Sequence, residues 1–205
     1  QGVPLDVVER SFKRIRGTLE RLTPPDMHLS MMAAFEHFTA TFAAVFIDNP
    51  DMLDNSDKKV AAMLYWHFVE ETEHKSVTFD VFQDAVGSYP QRVAGMLIAS
   101  AIFLPMVEGH MLYLLYKEKQ LLNWRSMLSC LKLQVGPKGL LTRLFAGHYF
   151  PYYLPSFPPW DDDNRSQIRK WKEAFNATGD TAKAYEAFLH SAGTKGAGVN
   201  AALAA

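Results

Sequence analysis

Trp66-His67-Phe68-Val69-Glu70-Glu71-Thr72-Glu73-His74-Lys75-Ser76-Val77-Thr78-Phe79-Asp80-Val81-Phe82 sets acidic and imidazole groups among aromatic and aliphatic residues at helical spacing. The periodic segment around it runs from Lys58 to about Val86 and closes at Gly87-Ser88-Tyr89-Pro90, which predicts one long helix. At about 100° per residue, the face centred on Glu71 collects Val60, Leu64, His67, Phe68, His74, Lys75, Thr78, Phe82 and Ala85. Glu71 and His74 are therefore expected in the middle of a buried stripe, whereas Glu70 and Glu73 point away and can be solvated. Glu71-x-x-His74 offers an oxygen and a nitrogen ligand one helical turn apart. A bare Glu-x-x-His is common on helices, so the weight of this one comes from its apolar surroundings.

The preceding helix carries the matching group. It is expected from Asp26, read as its cap, to about Asp48, where Asn49-Pro50 stops it. Projection around Glu36 gathers Leu29, Met32, Ala33, Thr39, Ala40, Ala43 and Ile47, leaving Glu36 the one charge on a small apolar face. Burying an unpaired carboxylate costs several kcal/mol, and two facing carboxylates repel unless a cation lies between them. A pair of divalent ions resolves that cost, and the metal ligands expected are Glu36, Glu71 and His74. Ferritin-like di-iron proteins use one Glu from each of two helices and Glu-x-x-His from each of two others, of which this helix pair would be half. Carboxylate and imidazole ligation puts iron first, with manganese or zinc as alternatives. His67, one turn before Glu71, is expected to hold the ligand carboxylate or to become a third ligand. Thr39, one turn beyond Glu36, could donate to a metal-bound oxygen, but a threonine packing its methyl in the core is the preferred reading. His37 is read as structural. Glu108 and His110 interrupt an apolar helix, which fits either a further ligand or a helix turning towards solvent.

Further out, Asp6 to Leu22 reads as a charged surface helix ending at Thr23-Pro24-Pro25. Gln91 to Gln120 reads as a helix whose uncharged run from Val93 to Val107 is interrupted by Pro105 and Glu108 before it reaches a membrane span, so it is expected to be buried. Leu121 to Val135 is expected to continue as helix to the break at Gly136-Pro137-Lys138-Gly139. From Gly147 to Trp160 four prolines and many aromatics predict an ordered, irregular arm packed on the bundle. Asp161 to Phe175 and Thr181 to His190 read as short helices, and the Gly/Ala-rich end from Ala192 as frayed. No strand alternation stands out. The fold class expected is all-α: a partial ferritin-like helical bundle over residues 1–135, with residues 136–205 as arm, short helices and tail on the same domain.

Twenty-one basic against 22 acidic residues give no nucleic-acid footprint. The single cysteine, Cys130, excludes an internal disulfide framework and fits a reducing compartment, and no secretory signal is visible. A cytoplasmic protein, membrane-peripheral at most, is the expectation. No nucleophilic triad, phosphate-binding glycine loop or zinc-cysteine cluster competes with the carboxylate and histidine set.

Glu36-His37-Phe38-Thr39, the run from Trp66 to Val81, and Tyr153-Leu154-Pro155-Ser156-Phe157-Pro158-Pro159-Trp160-Asp161 together resemble a bacterial family named predicted metal-dependent hydrolase, over about Thr23 to Trp171. The resemblance implies an earlier half-site, a Glu on one helix and Glu-x-x-His on the next, which this sequence is expected to lack. An N-terminal segment, a second copy or a degenerate site are the three ways to account for that.

Three functions follow as expectations. A di-iron oxidase or oxygenase would use Glu36, Glu71 and His74 for half of its metal pair, with Met32, Phe35, Phe38, Phe68 and Phe82 walling a hydrophobic small-molecule substrate from water. A hydrolase would use metal-activated water, and it demands an open, polar, water-filled site. The stripes around Glu36 and Glu71 predict a dry site, which puts the oxidase first. A non-catalytic metal-binding or helical interaction module comes third. The apolar stretches Val93–Val107 and Met111–Tyr116 admit a homodimer face or weak membrane association.

Overall fold

The computed structural model describes residues 5–157 and 165–191, and every described element is helical. The helix expected from Asp161 lies partly, and the tail from Ala192 wholly, outside the described residues. The order is α1 (Leu5–Leu22), α2 (Pro25–Asp48), a short turn of helix (Pro50–Leu53), α3 (Lys58–His74), α4 (Val77–Ala85), α5 (Tyr89–Lys117), α6 (Trp124–Val135) and α7 (Leu140–Arg143). A π turn (Leu144–Tyr149) and a tight turn (Phe150–Tyr153) form the aromatic arm, followed by α8 (Arg165–Thr178) and α9 (Thr181–Ser191).

The spine is α2. Its small residues Ala33, Ala34, Ala40, Ala43 and Ala44 are buried together with Phe38 and Ile47, so neighbouring backbones approach closely on several sides. Pro24 precedes its first turn with no side-chain cap; Asp26, expected as the cap, instead lies inside that turn, where its charge complements the helix dipole. The two ends of α2 serve two cores. Towards the C-terminal end, Ile47 meets Ala61, Tyr65 and Val69 of α3, Trp171 of α8, and Tyr185 and Phe188 of α9. Towards the N-terminal end, Ala34 and Phe38 meet Phe79 and Phe82 of α4, Met96 and Ala99 of α5, and Leu144, Tyr152 and Phe157 of the arm. At the α2–α5 crossing the Ser30 hydroxyl donates to the Gln91 carbonyl at 2.8 Å, and a Cβ on Gly95 would lie 2.1 Å from that hydroxyl oxygen.

Three expectations are corrected. The helix foreseen from Lys58 to Val86 is broken at Lys75-Ser76 into α3 and α4. The apolar period runs on through the break, but the chain turns so that the first N–H groups of α4 face α2. Gly87, at φ +60, then closes α4 as expected, its N–H reaching the Phe82 carbonyl at 3.0 Å. As expected, α5 is one helix through Pro105, because Pro105 and Ala101, whose carbonyl loses its partner, both face water. Second, α5 is not a buried helix: its buried residues are Arg92, Gly95, Met96 and Ala99, all near its start. Third, its continuation is interrupted. Lys119, at φ 56, turns the chain, and the Asn123 side chain caps a separate α6 by accepting from the Arg125 and Ser126 N–H groups.

Among the described residues two helices, α2 and α5, are long and apolar enough to cross a membrane by length and composition.

Candidate metal centre

Glu36 leaves α2 about midway and is half-buried. Its Oε2 accepts from the backbone N–H of Thr78 at 3.2 Å, and its Oε1 accepts from the Thr78 hydroxyl. Thr78 is the second residue of α4, so the carboxylate sits at that helix's positive end, where free N–H groups and the dipole stabilise an anion. The helix terminus does what a cation was expected to do, and the burial argument for metal at Glu36 loses its force. Four lone-pair positions on a carboxylate leave Glu36 with capacity beyond these two bonds. Sequence reading placed Thr78 on the Glu71 face without seeing it as the partner of Glu36. The signal was there, in the weak helix formers Ser76, Val77 and Thr78 that follow His74. Thr39, by contrast, turns its hydroxyl to the Glu36 backbone carbonyl at 3.1 Å.

On α3 the buried side is formed by Ala61, Ala62, Tyr65, Val69 and Thr72, which lie roughly 80° or more round the helix from Glu71. Tyr65 takes that side to the core because Tyr185 and Phe188 of α9 receive it, with ring centroids 5.1 and 4.9 Å away. Glu71 is consequently marginal, a quarter exposed, and His67 and His74 are exposed rather than central to a buried stripe. Val60, Met63, His67, Glu71 and His74 instead form one solvent-facing row, with Met32 of α2 also exposed.

Within that row the His67 Nε2 lies 3.4 Å from the Glu71 Oε1. Two donors bound to one tetrahedral ion at ~2.0–2.2 Å stand roughly 3.4 Å apart, so this pair already has the spacing of one coordination edge. Among the described residues, no three His, Cys, Asp or Glu side chains converge on one point that could hold an ion. The donors present therefore suit a divalent ion in kind and, for one pair, in spacing.

The remaining polar groups of the sequence reading have other work. Glu73 pairs with Lys172 of α8, fixing α8 to the end of α3. His37 of α2 is buried against the arm, its Nε2 3.1 Å from the His148 carbonyl and its ring 4.7 Å from that of Tyr152. Glu108 accepts from the Gln134 Nε2 at 2.9 Å, and the His110 Nε2 lies 2.8 Å from the Ser11 hydroxyl. These two tie α6 and α1 to α5.

Neither the curated proteins nor the solved structures include a match to this chain. One family model does match, across residues 1–163, a span that takes in α1 to α7, the row on α3, Glu36 and the arm. On that match the chain belongs to the family described as predicted metal-dependent hydrolase.

Proposed function

We propose that this chain is a metal-dependent hydrolase whose ion is held on the open side of α2 and α3, with Glu71 and His67 as the paired donors and with His74 and Glu36, which do not converge on that pair here, as the further donors. The observation that carries this reading is exposure. Oxygen chemistry wants a dry, walled site, whereas hydrolysis needs water and an entering polar group at the ion. His67 and His74 are exposed and Glu71 is partly so, which supports the hydrolase over the oxidase.

A divalent ion bound there would polarise a carbonyl or phosphoryl oxygen and lower the pKa of water. The chain's own groups supply orientation. His67 restrains the Glu71 carboxylate from one helical turn away. Thr78, through its N–H and hydroxyl, fixes the Glu36 carboxylate at the start of α4 and leaves it lone pairs for an ion. Glu73 is kept out of the site by Lys172. Val60, Met63 and Met32 beside the row offer apolar contact for the rest of a substrate.

The test is metal content per chain after aerobic purification, an optical spectrum before and after Fe(II) and O2, and hydrolysis of nitrophenyl esters and phosphates with and without a chelator. Zinc- or manganese-dependent, chelator-sensitive hydrolysis is the expected result. About two irons with an oxo-bridged absorption and no hydrolysis would return the assignment to a di-iron oxidase.

A further inference from the structure

From Ser100 to Lys138 no residue is fully buried, although the stretch is rich in leucine and aromatics. On α6 the exposed side chains Trp124, Leu128, Leu131 and Val135 recur at intervals of four, three and four residues, one narrow apolar stripe facing water. Arg125 and Lys132 flank that stripe at roughly 80–100°, also exposed. A different side of α6 faces α5, where Gln134 reaches Glu108 and Met111 and the Cys130 thiol contacts the Met111 sulfur, while Leu133, opposite the stripe, is also exposed. The end of α5 adds Tyr116, and the α5–α6 turn adds Leu122, which is 98% exposed.

Charge is segregated on the same stretch. Between Met111 and Arg143 lie Lys117, Lys119, Arg125, Lys132, Lys138 and Arg143 against the single acid Glu118, in a chain whose net charge is −1. Two cations lie over rings, Lys117 at 5.6 Å from the Tyr113 centroid and Arg125 at 5.6 Å from that of Trp124. A second copy docking symmetrically would bring this basic surface against itself, which like charges oppose. An apolar stripe bordered by Trp, Tyr, Lys and Arg complements a surface that is apolar below and negative above.

We propose that α6 and the α5–α6 turn form an interfacial docking element for anionic membrane lipid, with Trp124, Leu128, Leu131 and Val135 entering the acyl boundary and Arg125, Lys132, Lys117 and Lys119 meeting the headgroups. This is independent of the hydrolase assignment and involves none of its residues.

The experiment is flotation of the full chain with phosphatidylcholine vesicles and with vesicles containing roughly one third phosphatidylglycerol. Binding is expected on the anionic vesicles, weakened by salt. Each basic charge removed should lower partition about fivefold, so R125Q/K132Q should lose about thirtyfold. W124S/L131S should abolish flotation while leaving the thermal melt unchanged, since both sites are exposed. Brominated lipid should quench a tryptophan signal that is missing in W124F. Absence of flotation, or flotation indifferent to lipid charge and to R125Q/K132Q, overturns the proposal. So does an oligomer in analytical ultracentrifugation that W124S/L131S dissociates, which would give the stripe to a second copy.

Discussion

Helices α2 and α5 are nearly alike in what they are made of and opposite in what becomes of them. Both pass the length and composition test for a membrane span, yet 67% of the most apolar stretch of α2 is buried and 6% of that of α5. The difference lies in side-chain size and in neighbours rather than in hydrophobicity. Alanines on several faces of α2 let α3, α4, α5 and the arm close round it, and both cores are built on it. In α5 the small residues Gly95 and Ala99 meet α2 once, near the helix start. Beyond that crossing, larger side chains such as Leu112, Leu114 and Tyr116 project outward.

That contrast can be broken most severely at Phe38. It is fully buried on α2 and stacks on Phe103 with centroids 5.0 Å apart. Phe38→Ala should cost about 3–5 kcal/mol in urea unfolding. Next comes the single close crossing. Gly95→Ala would press a methyl into the Ser30 hydroxyl and carbonyl carbon, and a loss of about 1–3 kcal/mol is expected, with α5 separating from α2. Thr78→Val removes the hydroxyl donor to Glu36 while keeping the backbone one, and should cost about 1 kcal/mol by the same measurement. The smallest effect belongs to the exposed part of α5: Leu112→Ala should change stability by about 0.5 kcal/mol or less. A loss at Leu112 approaching that at Phe38 would mean that α5 is covered in solution and that the contrast is false.

The sequence carried the all-α class and the main helix boundaries because their signals are local. Pro24-Pro25, Asn49-Pro50 and Gly87 act on the backbone within a residue or two of themselves. The break at Lys75-Ser76 was hidden because it rests on a contact 42 residues away, between Glu36 and Thr78. The face of α3 was misjudged for a related reason. Helical projection ranks sides by polarity, but Tyr65 and Val69 were taken inward by a core that α9 completes, late in the chain. Likewise the uncharged run from Val93 read as buried, since hydrophobicity alone does not say whether a partner exists to cover it. For the site, the neighbourhood of His67 and Glu71 follows from their separation of four residues on one helix. The hold of Thr78 on Glu36 depends on tertiary geometry and was not legible.

In the proposed site Glu71 is the carboxylate donor of the open row on α3. The most direct test is calorimetric titration of zinc and manganese into the wild-type chain and into Glu71→Gln, which keeps the side chain's size and removes its charge. Affinity should fall at least about tenfold in the variant, together with hydrolysis. Equal affinity in the two proteins, or no binding in the wild type, would contradict the assignment.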